Sequence, residues 1–173
     1  FAAELREVNL QFKDGEDEKS PSYILLPTGI RANRIFFIGT LTEKERRGDQ
    51  NIFYHARISD PTGTFFVIAG SYQPEAMQQL AKIEPPAFVA VVGKPNVYQS
   101  PSGAVLVSIR AESIVTVDAD TRNCWVMDTA KSTLDRLDQF GSTEDSEKAK
   151  AHYNTDPEVY RKMAYDALTQ LKI

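Results

Sequence analysis

Aromatic and cationic side chains alternate with apolar ones between residues 51 and 72, NIFYHARISDPTGTFFVIAGSY. Residues 52–59 and 64–69 are rich in aromatic and β-branched types, which predicts two strands. Successive side chains of a strand face opposite sides of a sheet. With Ala56 and Val67 pointing inward, the outward-facing side chains are Phe53, His55, Arg57, Phe66 and Ile68. An outer face of aromatics and a cation suits stacking and charge neutralisation of a ligand.

The segment between these strands, Asp60-Pro61-Thr62-Gly63, predicts a tight turn. An Asp side chain can accept from the backbone two residues further on, proline presets φ, and glycine accepts a positive φ. The turn therefore accounts for Asp60 without a catalytic role.

The sequence offers no pattern typical of an enzyme or of a metal site. It contains no Gly-rich phosphate loop and no nucleophile elbow. Its one cysteine, Cys124, and its two histidines, His55 and His152, are too few for a structural zinc site. We expect Cys124 to be a buried apolar side chain. We expect no catalysis, no cofactor and no metal.

Charge is distributed unevenly along the 173 residues, whose formal net charge is −4. Residues 31–110 carry nine Lys or Arg and six Asp or Glu, a balance of +3, and the flanks together carry −7. A mildly basic middle is compatible with a polyanionic ligand, although scattered surface charge would give the same balance. No apolar run is long enough for a membrane span, and no signal-peptide pattern begins the sequence. We therefore expect no membrane partner, and the single thiol together with the absence of a secretion signal favours the cytoplasm.

The middle of the chain predicts five strands and one helix. The elements in order are a strand over 34–42, a charged loop over 43–50, the two strands above, a helix over 73–84, a strand over 87–93, a hairpin loop over 95–103 and a strand over 104–117. Gly39, inside the first strand, indicates a bulge or a bend at a barrel corner.

The flanks differ from this middle. Residues 1–33 predict an N-terminal arm that is extended or partly ordered over 1–20, with a disordered acidic loop, and that has a short strand at 22–27. Residues 34–119 form the main domain, and residues 120–173 form a helical extension. Within the extension we expect a helix over 123–140, a charged linker over 142–153 and an amphipathic helix opened by a capping box at Thr155.

Three strands, a helix and two more strands are the order of a five-stranded Greek-key barrel, the OB-fold, here with C-terminal helices. Such barrels bind oligonucleotides on the face of strands 2 and 3 and on the flanking loops. The candidate ligand-binding residues are Tyr98, Tyr72, Arg57, Phe66, Phe53, Lys94, Arg46 and Arg47. For Phe53 and Phe66, burial under the arm or a tail helix is an alternative, and for Arg46 and Arg47 a solvated charged loop is an alternative.

Several segments resemble a known family. RIFFIGTLTE in the first strand, SDPTG in the turn and GKPNVY before the last strand resemble the OB domains of replication protein A. The runs FAAE, SPSYILLPTG and NRIFFIGTLTE resemble more specifically the archaeal replication protein A-associated OB proteins. The resemblance covers roughly residues 1–140.

This resemblance implies a subunit that binds single-stranded DNA in replication, recombination and repair. It implies stacking of bases on Tyr98 and Tyr72, and association with other replication protein A subunits or with a second copy through the helix over 123–140. The association residues would be Val126, Ala130, Leu134 and Leu137. The chain departs from the large subunits in its single OB repeat, its acidic charge and its lack of a zinc finger. Those departures leave an alternative, a protein-interaction module that docks a larger subunit with little DNA contact. An RNA-binding OB domain is a further alternative.

Overall fold

The computed structural model describes residues 1–171. The elements in chain order are α1 (Ala2–Arg6), β1 (Gln11–Lys13), β2 (Ser22–Leu25), β3 (Arg31–Ala32), β4 (Ile35–Arg47), β5 (Phe53–Asp60), β6 (Gly63–Ala69), α2 (Pro74–Lys82), β7 (Ala87–Gln99), β8 (Val105–Thr116), α3 (Ala119–Asp138), α4 (Glu144–Tyr153) and α5 (Pro157–Thr169). Among these residues, no helix combines the length and the apolar character that crossing a membrane requires.

Five strands close into a barrel in the order β4-β5-β6-β8-β7. Neighbours pair antiparallel except β6 and β8, which are parallel, and α2 lies between β6 and β7 along the chain. This is the predicted OB-fold. The barrel interior is apolar, and Phe37 stacks on Phe65 there with ring centroids 3.8 Å apart.

The hairpin of β5 and β6 has the predicted alternation of side chains. Ala56, Ile58 and Val67 are buried inside the barrel, whereas Arg57 is exposed on its outside. The turn is held as expected, because an Asp60 carboxylate oxygen accepts from the backbone nitrogens of Thr62 (2.7 Å) and Gly63 (3.0 Å).

Two strands run further than the sequence predicted. The segment over 43–50 was predicted to be a charged loop, but β4 continues through Arg47. Its charged half pairs with β5, so that Glu43 lies opposite Arg57. Residues 95–103 were predicted to be a hairpin loop, but β7 continues to Gln99. Pro95 is tolerated because the pairing of β7 with β4 ends at Gly93, which leaves one edge of β7 without a ladder there.

Gly39 does not mark a bulge, because the register shifts lie between Leu41 and Glu43 and between Val92 and Gly93. Its role is close approach of the neighbouring strand: a Cβ at Gly39 would lie 2.7 Å from the Ser59 carbonyl oxygen. Backbone of β5 therefore occupies the space that any other residue would need.

The N-terminal segment has more regular structure than the extended or partly ordered arm that the sequence predicted. It forms α1 and a three-stranded sheet in the order β1-β2-β3, in which β2 corresponds to the predicted short strand. Phe1, Leu5, Val8 and Ile24 join the core that includes the barrel interior. The sequence did not reveal α1 or the sheet because these apolar residues are spaced by long-range packing and not by a local period.

Two of the three C-terminal helices were predicted. α3 begins after Asp118, whose carboxylate accepts from the Thr121 backbone nitrogen at 2.8 Å. α4 occupies the predicted linker and is capped by Thr143. Few of its residues are apolar, so the sequence showed no amphipathic period there. α5 is capped by Asp156 and not by Thr155. Cys124, predicted to be buried, is exposed.

The face of α3 that was predicted to bind another subunit packs within this chain. Val126, Ala130 and Leu137 are buried and Leu134 is partly buried. α3 packs mainly against α5, whose Ala164 and Ala167 are buried in the same core. Three of these four side chains are therefore buried within this chain, and association of another chain through them stays a prediction.

Candidate nucleic-acid interface

The outer face of β5, β6, β8 and β7 presents its side chains in rows set by strand register. One row consists of His55, Ile68, Arg110 and Lys94. The next row consists of Arg57, Phe66, Ser108 and Asn96. Each row crosses four strands, so residues distant in sequence share one surface.

A groove of about 410 Å³ lies along this face. Its walls and floor are formed by His55, Phe66, Ile68, Asn96, Tyr98, Leu106, Val107 and Ser108. The volume falls in the range typical of small-molecule sites. Apolar and aromatic groups predominate, and three polar side chains converge among them.

Phe66 and Tyr98 are the two aromatic residues that line the groove. Tyr98 is 54% exposed and lies in β7 opposite Leu106. Phe66 is half-buried, with the Arg57 guanidinium 5.7 Å from its ring centroid and the His55 ring 6.4 Å away. Phe66 also borders a second depression, which residues of α1 line, so part of its ring faces the N-terminal segment. The remaining surface of both rings can stack on a planar ligand.

The cations near the groove divide into paired and unpaired ones. Arg57 lies 3.7 Å from Glu43, and Arg47 lies 2.9 Å from Glu45. Lys94 and Arg110 are exposed cross-strand neighbours, and neither forms an ion pair within residues 1–171. These two side chains add positive charge beside the groove, and Glu112, which is paired with Arg34, offsets part of the charge of Lys94.

Three of the candidate residues lie away from the groove. Tyr72 is 95% exposed in the turn after β6, at the end of that strand opposite to the end near Tyr98. Arg46 follows the alternation of β4 and faces the opposite side from Arg47. Phe53 is half-buried at the start of β5, opposite Arg47.

Sequence reasoning missed Arg110, Asn96, Ser108 and Leu106. Arg110 could have been found from its neighbours, because buried Ile109 and Ala111 flank it in β8 and force it outward. Asn96 was hidden by the loop prediction for residues 95–103. The pairing of β6 with β8 joins these residues to Phe66, and no local pattern reveals that pairing.

His55 is uncharged near neutral pH. Burial lowers the pKa of its imidazole below the ordinary value, and the nearby Arg47 lowers it further; Glu45 acts in the opposite direction. A neutral imidazole offers one donor and one acceptor to a ligand. Within the described part of the chain, no cluster of three His, Cys, Asp or Glu is placed to bind a metal.

Neither a protein-family model nor a curated protein matches the sequence. A solved structure of the S. pombe Stn1-Ten1 complex is similar, with a TM-score of 0.54 and 14% identity over 88% of this chain and 95% of that chain. Two further similar structures are the single-stranded DNA-binding protein SSBb of Mycobacterium smegmatis (TM-score 0.42, 16% identity, 50% of this chain and 87% of that one) and S. cerevisiae mitochondrial Rim1 (0.38, 15%, 50% and 94%).

The fold is an OB-fold. At 14% identity the Stn1-Ten1 likeness establishes the fold alone.

Proposed function

We propose that this chain is a non-catalytic subunit that binds single-stranded DNA along the groove of β5, β6, β8 and β7, in replication, recombination and repair. The observation that carries the proposal is the groove itself. The rings of Phe66 and Tyr98 line it, and the cations Lys94 and Arg110 lie on the same outer face of the barrel.

Single-stranded DNA presents bases with π-faces and a phosphate on every nucleotide, and this surface offers a partner for each. Stacking on Phe66 and Tyr98 is tolerant of base identity, since every base has a π-face. Lys94 and Arg110 would neutralise phosphates and release counterions. The net charge of −4 opposes non-specific attraction, so binding depends on these local cations.

The test is fluorescence anisotropy of a labelled oligo-dT at two salt concentrations. We expect affinity to fall as salt rises, and Arg110→Ala to reduce the salt slope by about 1. Tyr98→Ala should weaken binding by ~1–3 kcal/mol.

Arg46→Ala is the matched control, because it removes a cation from the same barrel on the face opposite the groove. It should leave both affinity and salt slope unchanged. Absence of oligo-dT binding at low salt by the unmodified chain would contradict the proposal, and an effect of Arg46→Ala equal to that of Arg110→Ala would place the DNA elsewhere.

A second candidate function is docking of a larger replication protein A-type subunit, with little DNA contact. It is favoured by apolar side chains on another part of the barrel surface, where Phe36 of β4 is 56% exposed and Val115 of β8 is 49% exposed. Phe36→Ser together with Val115→Ser should then abolish partner binding, whereas oligo-dT binding would be absent in the unmodified chain too.

A further inference from the structure

We propose that Glu43 lowers the affinity of the groove for single-stranded DNA, because it holds Arg57 in an ion pair that a phosphate must replace. This inference rests on the proposed single-stranded DNA binding and deepens it. Lys94 and Arg110 form no ion pair within residues 1–171, so a phosphate can approach them directly. Arg57 differs from them, since it reaches a phosphate only by exchanging one anionic partner for another.

Arg57 lies between Glu43 and the groove. Glu43 is directly opposite Arg57 on β4, and Phe66 is directly opposite it on β6. The Arg57 guanidinium lies 5.7 Å from the centroid of the Phe66 ring, which lines the groove. A nucleotide stacked on Phe66 is therefore within reach of the Arg57 side chain, whereas Glu43 lies one strand further out.

The ion pair is long and open to solvent. Arg57 Nε is 3.7 Å from a Glu43 carboxylate oxygen, which is beyond hydrogen-bond distance, and the two side chains are 56% and 61% exposed. A second pair on the same face is tighter, since Arg47 donates a hydrogen bond to Glu45 at 2.9 Å. Exposed ion pairs contribute little to stability, because water solvates both charges and pairing restricts two long side chains. Arg57 can therefore leave Glu43 at a small cost.

A phosphate is a stronger partner for Arg57 than Glu43 is in this geometry. The Arg57 guanidinium makes no hydrogen bond to any residue within 1–171, so its N–H donors are available to a ligand. An Arg side chain binds a phosphate through two parallel hydrogen bonds. The exchange therefore forms charge-assisted hydrogen bonds that the free chain lacks. Its cost is that Glu43 is left unpaired beside the bound strand, and this cost lowers the affinity.

The charges of both residues act inside the groove, as the groove residue His55 shows. Burial, and after it the charge of Arg47, lowers the pKa of the His55 imidazole; Arg57 lowers it further, whereas Glu43 acts to raise it. Glu43 and Arg57 therefore act on the same space with opposite sign. In the free chain, Glu43 offsets the attraction of Arg57 for a phosphate.

The experiment compares the full chain with Glu43→Gln by fluorescence anisotropy of a labelled oligo-dT at several salt concentrations. Gln keeps nearly the shape of the Glu43 side chain and removes its charge. We expect Glu43→Gln to bind about two- to fivefold more tightly at low salt, which is the range for loss of an exposed ion pair. The slope of log affinity against log salt should be steeper by up to about 1, because no carboxylate is left to take up a cation.

The double variant, Arg57→Gln with Glu43→Gln, tests whether Glu43 acts through Arg57. In the Arg57→Gln background, Glu43→Gln should leave affinity and salt slope nearly unchanged. Glu84→Gln is the matched control, because it changes the net charge equally and also breaks an ion pair of 3.7 Å, but its partner Lys44 faces the other side of β4. It should bind oligo-dT like the unmodified chain. Thermal unfolding of each variant shows that it is folded.

The outcomes separate this inference from the proposed function. Unchanged or weaker binding by Glu43→Gln, while the unmodified chain binds oligo-dT, overturns the role of Glu43 and leaves DNA binding intact. An equal gain in the Arg57→Gln background, or in Glu84→Gln, overturns the exchange, because net charge alone would then explain the gain. No binding of oligo-dT by the unmodified chain or by any variant overturns the proposed function itself.

Discussion

His55 lies between two ion pairs on the outer face of the barrel. On β4, Glu45 is directly opposite His55, with Arg47 and Glu43 two positions to either side, and Arg57 follows on its own strand. Burial, and after it the positive charges of Arg47 and Arg57, keep the pKa of His55 below its ordinary value, whereas Glu45 and Glu43 act to raise it. The imidazole of His55 is therefore neutral in the free chain and becomes a cation inside the groove only when it takes up a proton.

We predict that affinity for oligo-dT rises as pH falls through the acidic range below about 6.5. The phosphates of a bound strand favour the charged imidazole, so the pKa of His55 is higher in the complex than in the free chain. Binding then takes up a proton, and linkage requires that affinity increases as pH decreases between those two values. Oligo-dT suits the measurement because thymine does not titrate in this range.

His55→Gln should remove this pH dependence in anisotropy titrations between pH 5 and 8. His152→Gln is the control, since that ring contacts Asn9 far from the groove. If the slope against pH is the same in His55→Gln as in the unmodified chain, another group is responsible.

At the scale of elements, the barrel depends on two long strands that each pair with two neighbours. β4 pairs with β7 over its apolar half and with β5 over its charged half. Hydrophobic periodicity reveals the apolar half alone, because charged cross-strand pairs outside the core leave no apolar pattern. The existence and order of the strands were therefore predictable from the sequence. The ends of β4 and β7 were not, and the placement of Arg46, Arg47 and Tyr98 depends on those ends.

Gly39→Ala should destabilise the barrel by about 1–3 kcal/mol, because the new methyl group would force β5 away from β4. The nearest atoms are the Ser59 carbonyl oxygen at 2.7 Å and an Ile58 methyl group at 2.8 Å. Urea unfolding would measure the change.

Gly70→Ala is the matched control, since a Cβ there meets only Phe53 Cβ at 3.4 Å. It should change stability by a few tenths of a kcal/mol at most. Equal effects of the two substitutions would show that backbone flexibility and not close approach is the reason for Gly39.

At the scale of the whole molecule, a buried glutamate connects the N-terminal segment to the C-terminal helices. Glu4 accepts from the Phe1 backbone nitrogen at 2.8 Å, from the Thr28 hydroxyl at 2.7 Å and from the Arg136 guanidinium at 2.9 Å. Trp125 of α3 also packs edge-on against Phe1, with ring centroids 5.6 Å apart. The segments before and after the barrel therefore form one layer on it.

Glu4→Ala should lower the free energy of unfolding by about 2–4 kcal/mol, because it leaves Arg136 and Thr28 without their shared acceptor. Burial acts to raise the pKa of the Glu4 carboxyl, whereas the Arg136 guanidinium and the hydrogen bond from the Thr28 hydroxyl act to lower it.

Arg161→Met, which breaks the more exposed pair with Asp138, should cost less than about 1 kcal/mol. Denaturant titrations of both variants at neutral and acidic pH would test this. A loss from Glu4→Ala as small as that from Arg161→Met would mean that the layer is held by apolar packing alone.

The sequence allowed the barrel, its central helix, the β5–β6 turn and the terminal helix to be predicted, because each carries a local period or a turn signal. It did not reveal α1, the β1–β3 sheet or α4, whose side chains are satisfied by distant partners such as Arg136 and Asp145. Of the candidate residues named from the sequence, Phe66 and Tyr98 line the groove and Arg57 and Lys94 lie on the same face, and their part in binding stays a prediction. Its polar centre, Asn96 and Ser108, depends on a pairing between strands that are separated by a helix and a third strand.

That pairing has one more consequence. β6 and β8 are joined at three positions, whereas β7 and β8 are joined at eleven. Parallel pairs are also somewhat weaker per residue than antiparallel ones. Phe66 and Ile68 lie on one side of this short seam, and Ser108 and Arg110 lie on the other. A ligand that contacts both strands binds only the closed barrel and not a form in which β6 and β8 are separated. By mass action, ligand binding therefore stabilises the pairing of these two strands. A bound strand of DNA would therefore stabilise the barrel at the short pairing of β6 with β8.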